Sequence, residues 1–354
     1  FGSTSRRSPS TASITMASTR SRKHADDCPP EVLQSPADAM LLTLRQGAAR
    51  AVVSTGLTAP RSSLCGRLGG ETFDSFHPAT EEKLHSFARG MKGDVDAAVE
   101  AAKVAWANGT GEWAQKTATE RGAYVKKMCE GILANQEMLA QIEAADTGKT
   151  YADAFAGIGG AAAEGEHWAD LGAVLDAEQD QPQPTNIDGS TADGFKIVMR
   201  RDPIGIVGLI SAWNYPLNVA FRKVAPALVA GNCAILKPSE LAPHQSRVLA
   251  KLLPQYIDSS ALLVVEGGVE VSKAVIQQPF DFVFYTGGPV VGSHVAQECS
   301  KRLIPFCLEL GGKSPTLIDK SVDLVVACNR IVQGKYANAG QVRRAHSTLL
   351  RRSL

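Results

Sequence analysis

The chain has 354 residues, of which 44% are hydrophobic and 21% are charged, values typical of a globular protein long enough for two domains. Removing the nine basic residues of 1–25 and 342–354, which contain no acidic residue, from the net charge of +1 leaves 26–341 at −8. This acidic middle argues against nucleic acid as the main partner, because phosphate binding requires a basic surface. The seven cysteines form no CxxC pair, which argues against a zinc site. No apolar run reaches the roughly 20 residues of a membrane span.

Residues 1–70 show no sustained hydrophobic period and are interpreted as a leader or a disordered segment. The Ser- and Arg-rich opening, free of acidic residues, resembles an organelle transit peptide. Untranslated sequence, or a fragment carried into the chain, is the alternative. Reduced intracellular thiols are the default, so the expected location is the cytoplasm. A mitochondrion or plastid is the alternative if 1–25 is a genuine transit peptide.

Helical patterns dominate from 94 to about 178. Asp94 precedes VDAAVEAAKVAWA, whose apolar residues share one face, and Asn108-Gly109 ends this helix. Thr117 and Glu120 form a capping box that begins a second helix. The segment QDQPQPTN is interpreted as a break, and GFKIVMRRDP after it as a strand that forms half of a hairpin at 184–202.

A different pattern begins at Pro203. The run PIGIVGLISAW is rich in β-branched residues and predicts a strand buried on both faces. Similar runs follow at CAILK, ALLVVEG and DFVFYTG, separated by helical stretches. This alternation predicts an α/β fold with a doubly wound, parallel, Rossmann-like sheet preceded by amino-terminal helices. Ligands of such sheets bind at the carboxyl ends of the strands, so the loops there are the candidate site.

Two of these loops carry candidate polar contacts. In SAWNYP, Asn214 follows Trp213 at a strand end, and a rigid amide there can stabilise an oxyanion. An ordinary turn asparagine is the alternative. In LKPSE, the carboxylate of Glu240, close to Lys237, can accept hydrogen bonds from both ribose hydroxyls of an adenosine and repels a 2′-phosphate, which favours NAD over NADP. A solvated surface pair is the alternative.

Two further loops follow the next strands. In TGGPVVGSHVAQE, Gly287, Gly288 and Gly292 lie in a turn from a strand into a helix, where glycine lets the backbone approach a pyrophosphate. Glycine is also common in such turns when no ligand binds. In CLELGGKSP, Glu309 is predicted to be buried or half-buried, and desolvation, which favours proton uptake, makes it a candidate general base. A core carboxylate paired with a distant arginine is the alternative.

Taken together and in this order, these motifs closely resemble the aldehyde dehydrogenase superfamily. The resemblance runs from about Phe73 to Gln341 and depends most on GIVGLISAWNYP, GNCAILKPSELAP and FCLELGGKSP. After about residue 216 the sequence is most similar to class 3 and fatty aldehyde dehydrogenases. Before it, the sequence is more similar to the longer forms, including betaine aldehyde dehydrogenases.

The resemblance implies a reaction in which a cysteine thiolate attacks an aldehyde and the thiohemiacetal passes hydride to NAD. A glutamate then activates the water that releases the carboxylic acid. Asn214 corresponds to the oxyanion-hole amide, Glu309 to the general base, and the cofactor contacts are Trp213, Lys237, Glu240, Gly287, Gly288 and Gly292. The family motif Asn-x-Gly-Gln-x-Cys places Arg343 at the nucleophile position, and a guanidinium is not a nucleophile.

The resemblance also implies a domain organisation. The NAD-binding domain comprises 71–183 and 203–309, an oligomerisation hairpin lies at 184–202, and 310–341 begin a catalytic domain that is mostly missing. An unrelated Arg-rich tail is expected at 342–354. The implied partners are an aldehyde substrate and further copies of the chain in a homo-oligomer.

Two functions therefore remain open. The first is an NAD-dependent aldehyde dehydrogenase whose active form has a cysteine at 343 and a full catalytic domain. The second is a non-catalytic, NAD-binding remnant, or a misfolding fragment that results from an error in the gene model. A thiol at Cys307, on the same strand face as Glu309, is a weaker candidate for a substitute nucleophile, because a small buried residue is the simpler interpretation.

Overall fold

The computed structural model describes residues 63–64, 71–179, 181–183, 197–257, 260–319, 321–342 and 348–351. Most of the predicted leader, the centre of the predicted hairpin and Arg343 lie outside these ranges. Within them, no helix combines the length and apolarity needed to cross a membrane. The same ranges contain no cluster of His, Cys, Asp and Glu suited to holding a metal ion.

Strands and helices alternate over the second half of the chain. The strands, in chain order, are Ser63–Leu64 (β1), Thr72–Phe76 (β2), Lys83–Ala88 (β3), Gln181–Gln183 (β4), Ile197–Met199 (β5), Ile206–Ile210 (β6), Cys233–Lys237 (β7), Leu262–Val265 (β8), Phe282–Thr286 (β9), Phe306–Glu309 (β10), Pro315–Ile318 (β11) and Thr348–Arg351 (β12). The α-helices are Lys92–Trp106 (α1), Glu112–Gln115 (α2), Ala118–Ala134 (α3), Gln136–Thr147 (α4), Tyr151–Glu178 (α5), Pro216–Val229 (α6), Pro243–Leu252 (α7), Val269–Ile276 (α8), Pro289–Ser300 (α9) and Leu324–Tyr336 (α10).

The main sheet has six strands in the order β1-β8-β7-β6-β9-β10. Every neighbouring pair in it is parallel. The chain passes from β6 outward through β7 to β8 and then returns to place β9 on the other side of β6. The doubly wound parallel sheet predicted from the sequence is therefore confirmed. Its strand order reverses between β6 and β9, which is where ligands of such sheets bind.

The sheet is buried because each face packs against helices. Every residue of β6, β7 and β8 is buried, as the uninterrupted apolar runs predict. Alternate residues of β6 enter different cores: Val207 and Leu209 pack with α3 to α7, whereas Ile206 and Ile210 pack with α1, α8 and α9. Burying each such side chain contributes roughly 1.5–3 kcal/mol.

Local sequence signals define the helix ends. The predicted capping box at α3 is present, since Thr117 Oγ1 accepts from the Glu120 backbone N–H at 3.1 Å and Glu120 Oε2 accepts from the Thr117 backbone N–H at 2.7 Å. Asn108 and Gly109, with φ of 54° and 84°, adopt left-handed conformations just beyond α1. The Asn-Gly pair therefore ends this helix as the sequence predicts.

Two small ribbons depart from the sequence expectations. The antiparallel ribbon β4–β5 begins at Gln181, so its first strand lies inside QDQPQPTN, which the sequence interpretation treated as a break. Because β4 pairs with only one described strand, the missing N–H of Pro182 is tolerated. In the parallel ribbon β11–β12, Thr348–Arg351 of the expected tail pairs with Pro315–Ile318. That part of the tail region therefore contributes a strand to the fold.

Candidate active site

A cleft with a volume of about 960 Å³ opens at the carboxyl edge of the sheet, where the strand order reverses. The loop after β6, the turn after β9, the end of β10 and the segment before Arg343 all contribute to its wall. The lining includes Trp213, Asn214, Gly287, Gly288, Glu309 and Gln341. The structure thus brings five of the sequence-predicted residues together at one edge, as parallel strands require, whereas the predicted Lys237, Glu240 and Gly292 do not line this cleft.

Asn214 joins the loop after β6 to the segment that precedes Arg343. Its side-chain Nδ2 donates to the backbone carbonyl of Gln341 at 2.7 Å, and its own carbonyl accepts from Asn338 Nδ2 at 2.8 Å. The indole of Trp213 donates to Gln341 Oε1 at 3.2 Å. An amide nitrogen carries two hydrogens, so Nδ2 has one more to offer to a ligand in the cleft.

The segment before Gln341 is conformationally strained. Asn338, Ala339 and Gly340 have φ of 55°, 55° and 77°, all in the left-handed region. For alanine this conformation costs roughly 1–2 kcal/mol. Asn338 is only 1% exposed, and its Oδ1 has no hydrogen-bond partner among the described residues. The contacts with Asn214 therefore hold this segment in an unfavourable geometry, as is common at functional sites.

Glu309 corrects a sequence prediction. The sequence predicted a buried or half-buried carboxyl, but the side chain is exposed at the end of β10. The prediction was wrong because β10 is an edge strand, which pairs only with β9 among the described strands. An apolar run does not reveal that one side of its strand is uncovered. Glu309 does line the cleft, where its negative charge acts on Arg222 and Lys223.

Lys223 is a functional candidate that sequence reasoning missed. This residue of α6 is 2% exposed, and its Nζ donates to Thr286 Oγ1 at 2.6 Å and lies 4.3 Å from the centre of the Phe284 ring. Burial lowers the pKa of its ammonium to about 8, and the charge of Arg222 acts in the same direction. A lysine on the buried face of the otherwise apolar helix PLNVAFRKVAPALV was the available signal.

Replacing Lys223 with methionine is expected to remove a pH-dependent part of the free energy of unfolding. Its pKa is about 8 in the folded chain and 10.5 when unperturbed, so the unfolded chain binds more protons between these values. The stabilisation from this group is complete above the unfolded pKa and is lost as the pH falls toward the folded pKa. The free energy of unfolding of each chain is measured in urea. Between about pH 7 and about pH 9.5, the value for the native chain should rise by about 2 kcal/mol relative to that for Lys223→Met.

Lys103→Met, on the exposed side of α1, controls for the simple loss of a lysine. If the free energies of unfolding of the native chain and Lys223→Met differ by a constant amount over this pH range, the effect of burial on the pKa of Lys223 is contradicted.

The Lys237–Glu240 pair lies at the end of β7. Lys237 is 2% exposed, and its Nζ is 2.7 Å from Glu240 Oε2. Desolvation lowers the pKa of Lys237, while the Glu240 carboxylate opposes this shift. The carboxylate of Glu240 is partly open and lines a second cavity of about 360 Å³ together with Gly268 and Val269. A solvated surface pair, the alternative left open by the sequence, does not describe a lysine buried this deeply.

The glycine turn after β9 leaves space beside the backbone. A Cβ added at Gly287 would lie 2.1 Å from Tyr285 Oη, so any larger residue here would displace the Tyr285 side chain. A Cβ added at Gly288, the N-cap of α9, or at Gly268 would meet no described atom within 4 Å. The first backbone N–H groups of a helix have no partner within it and attract anions. The backbone at Gly288 and Gly268 is therefore open to close approach by a ligand.

A doubly wound parallel sheet with a cleft at its reversal point is the architecture of many nucleotide-binding proteins. The model of the aldehyde dehydrogenase family matches residues 67–351, so the chain belongs to this family. The match begins near Phe73, where the resemblance inferred from the motifs begins, and it extends through β12. The family resemblance inferred from the motifs is confirmed.

Curated relatives agree with the similarity to class 3. Aldehyde dehydrogenase family 3 member A2 of Rattus norvegicus is 49% identical over 140 residues, which cover 40% of this chain and 29% of the rat protein. An aldehyde dehydrogenase of Craterostigma plantagineum is 50% identical over 141 residues, with the same two shares. The chain thus spans about 29% of the length of these relatives.

Solved structures extend the comparison over most of the chain. The NAD+ complex of an aldehyde dehydrogenase from Bacillus cereus superposes with a TM-score of 0.72 and 33% identity, over 80% of this chain and 56% of the other. A betaine aldehyde dehydrogenase from Staphylococcus aureus gives a TM-score of 0.72 and 30% identity, over 79% and 56% of the two chains. The fold of the described residues is therefore that of an aldehyde dehydrogenase over somewhat more than half of its length.

Proposed function

We propose that this fold serves the NAD-dependent oxidation of an aldehyde to a carboxylic acid, and that the chain carrying Arg343 binds NAD without completing the oxidation. The supporting observation is the 2.7 Å hydrogen bond from Asn214 Nδ2 to the carbonyl of Gln341. It sets a candidate oxyanion donor beside the segment that leads into the nucleophile position. With arginine there, the covalent step has no nucleophile.

The residues at the cleft and at the second cavity suit NAD. Glu240 would accept hydrogen bonds from the adenosine ribose, with Lys237 holding its carboxylate at 2.7 Å. The first turn of α9, entered through Gly287 and Gly288, would face the pyrophosphate. When bound, NAD supplies the hydride acceptor.

Polar side chains of the chain itself would serve the other steps of the proposed reaction. The second N–H of the Asn214 amide would orient the aldehyde oxygen and stabilise charge that develops on it. Glu309, at the wall of the cleft, would accept a proton from the water that releases the acid. In this chain, Arg343 stands at the sequence position at which the family has its nucleophile.

Equilibrium titration with NAD tests the proposal on the chain as it exists. We expect saturable binding of one NAD per chain by calorimetry, weakened by AMP as a competitor for the nucleoside cavity. Failure to detect binding at NAD concentrations that saturate other family members would refute the proposal.

The proposal also includes self-association of the chain and a location in the cytoplasm. The β4–β5 ribbon presents Ile197, Val198 and Met199, each more than 40% exposed, and an open strand edge of this kind is suited to pairing with another copy of the chain. We expect a homo-oligomer in the cytoplasm. Sedimentation of the native chain beside Val198→Lys should show loss of the oligomer in the variant.

Glu240→Gln is expected to reduce the preference for NAD over NADP by roughly tenfold, because it removes the charge that opposes a 2′-phosphate. The ratio of the two dissociation constants, measured by calorimetry, reports this directly. Glu298→Gln removes the same charge near the carboxyl-terminal end of α9, at the opposite end of that helix from the glycine turn, and should leave the ratio unaltered. An unaltered ratio in Glu240→Gln would show that this carboxylate does not face the ribose.

A further inference from the structure

The turn between α4 and α5 holds a fully buried ion pair. The side chains of Lys149 and Glu143 are 0% and 2% exposed, and Lys149 Nζ lies 2.5 Å from Glu143 Oε1. The same Nζ donates to the backbone carbonyl of Asn214 at 2.8 Å and lies 4.1 Å from the centre of the Tyr215 ring. The lysine thus reaches from the helical region to the loop that carries the amide at the cleft.

A second contact connects the same turn to the segment before Arg343. Gln341 Nε2 donates to the backbone carbonyl of Thr147, two residues before Lys149, at 2.9 Å. The carbonyl of Asn214 accepts from Asn338 as well as from Lys149. Three segments that are distant in sequence therefore close into one hydrogen-bonded network at residues 147–149, 214 and 338–341.

Stability alone gives a weak reason for this arrangement. Two well-packed apolar side chains would stabilise the fold as well as a buried ion pair, because each buried charge loses its hydration. Desolvation lowers the pKa of Lys149 and raises that of Glu143, and Glu143 Oε2 has no hydrogen-bond partner among the described residues. A buried charged pair does, however, specify one geometry more narrowly than apolar packing does.

We infer that Lys149 is a positioning residue, which together with Glu143 fixes the Asn214 carbonyl and, through the adjoining turn, the segment that presents position 343. The inference rests on the proposed function, in which the Asn214 amide is the oxyanion donor. Lys149 does not touch the reacting atoms. Lys149 acts on the distance between the loop that carries Asn214 and the segment that carries Gln341. Lys149 binds the carbonyl of Asn214, and the nearby carbonyl of Thr147 binds the side chain of Gln341.

Hydrogen exchange with mass spectrometry tests the inference on the native chain and Lys149→Met. We expect exchange at 212–217 and 338–342 to become about tenfold faster in the variant, while β6 and β7 keep their native rates. The indole N–H resonance of Trp213, which is bonded to Gln341, should shift in the same variant.

Arg121→Met is the matched control. Arg121 is also a buried cation that donates to backbone carbonyls, among them Val229 at 2.8 Å, but it contacts neither loop. It should leave exchange at 212–217 and 338–342, and the Trp213 resonance, at native values. If Lys149→Met does not fold, Glu143→Gln, which keeps a hydrogen-bond acceptor for Lys149, provides the same measurements, with a smaller increase in exchange expected.

Native exchange rates at both segments in a folded variant, or an equal increase in Arg121→Met, would overturn the inference. NAD titration of the same samples separates this failure from that of the proposed function. Loss of NAD binding in the native chain refutes the proposed function, whereas unchanged exchange with intact NAD binding refutes the positioning role.

Discussion

The chain carrying Arg343 is expected to form NADH from aldehydes at a rate roughly 10⁴-fold or more below that of a form with cysteine at 343 and a full catalytic domain. A guanidinium stays protonated and offers no lone pair for attack on a carbonyl. In the proposed reaction the Asn214 amide and the Glu309 carboxylate would act on an intermediate that forms only after nucleophilic attack, so they would not compensate for the missing nucleophile. Absorbance of NADH in the presence of NAD and a panel of aliphatic and aromatic aldehydes measures the rate.

Two variants control this experiment. Arg343→Ser removes the positive charge without adding a thiol, so it should stay inactive and separate loss of arginine from gain of a nucleophile. Cys307→Ala, made in the native chain and in the form with cysteine at 343 and a full catalytic domain, should change neither rate, because Cys307 is half-buried within β10 and does not belong to the proposed site. NADH formation by the native chain that disappears in Cys307→Ala would instead assign the reaction to that thiol.

Gly122→Ala is expected to destabilise the fold by about 1–3 kcal/mol. Gly122 lies in α3 where it crosses α5, and an added Cβ would be 2.5 Å from the backbone carbonyl of Ala169. A backbone atom cannot move aside as a flexible side chain can, so the two helices must separate. Because α3 and α5 carry much of the core on one face of the sheet, the loss is global and measurable by urea unfolding.

Gly160→Ala is the matched control for this prediction. Gly160 lies in α5, and an added Cβ there would meet no described atom within 4 Å. The same substitution should therefore stabilise the chain by roughly 0.5–1 kcal/mol, through helix propensity alone. Equal effects of the two substitutions would show that the helices do not approach as closely as the structure indicates.

Several features of the fold depend on short segments, and these were predictable from the sequence. A continuous apolar run such as CAILK has to be buried on both faces, so it predicts a central parallel strand without knowledge of its neighbours. The capping box at Thr117 and Glu120 satisfies backbone groups within one helical turn, so it is local too. The motifs at successive strand ends sufficed to predict the family through their resemblance to it, and the parallel strands account for their carboxyl ends lying at one edge.

Other features depend on which elements meet in space. The exposure of Glu309 follows from the place of β10 at the edge of the described sheet, and strand order is not written in the strand itself. The buried state of Lys223 and its lowered pKa depend on β9 covering α6. Lys149 gave no sequence signal of a role near Asn214, because the residues are separated by 65 positions.

The sequence by itself therefore determined the parallel sheet, through local periodicity, and the family, through the resemblance of its motifs, whereas the place of Arg343 at the nucleophile position stays a prediction from that resemblance. Only the tertiary structure decided which charged groups are buried and which loops are held together. Desolvation and hydrogen bonding between distant segments depend on the packing of whole elements, and no short window of sequence contains that information.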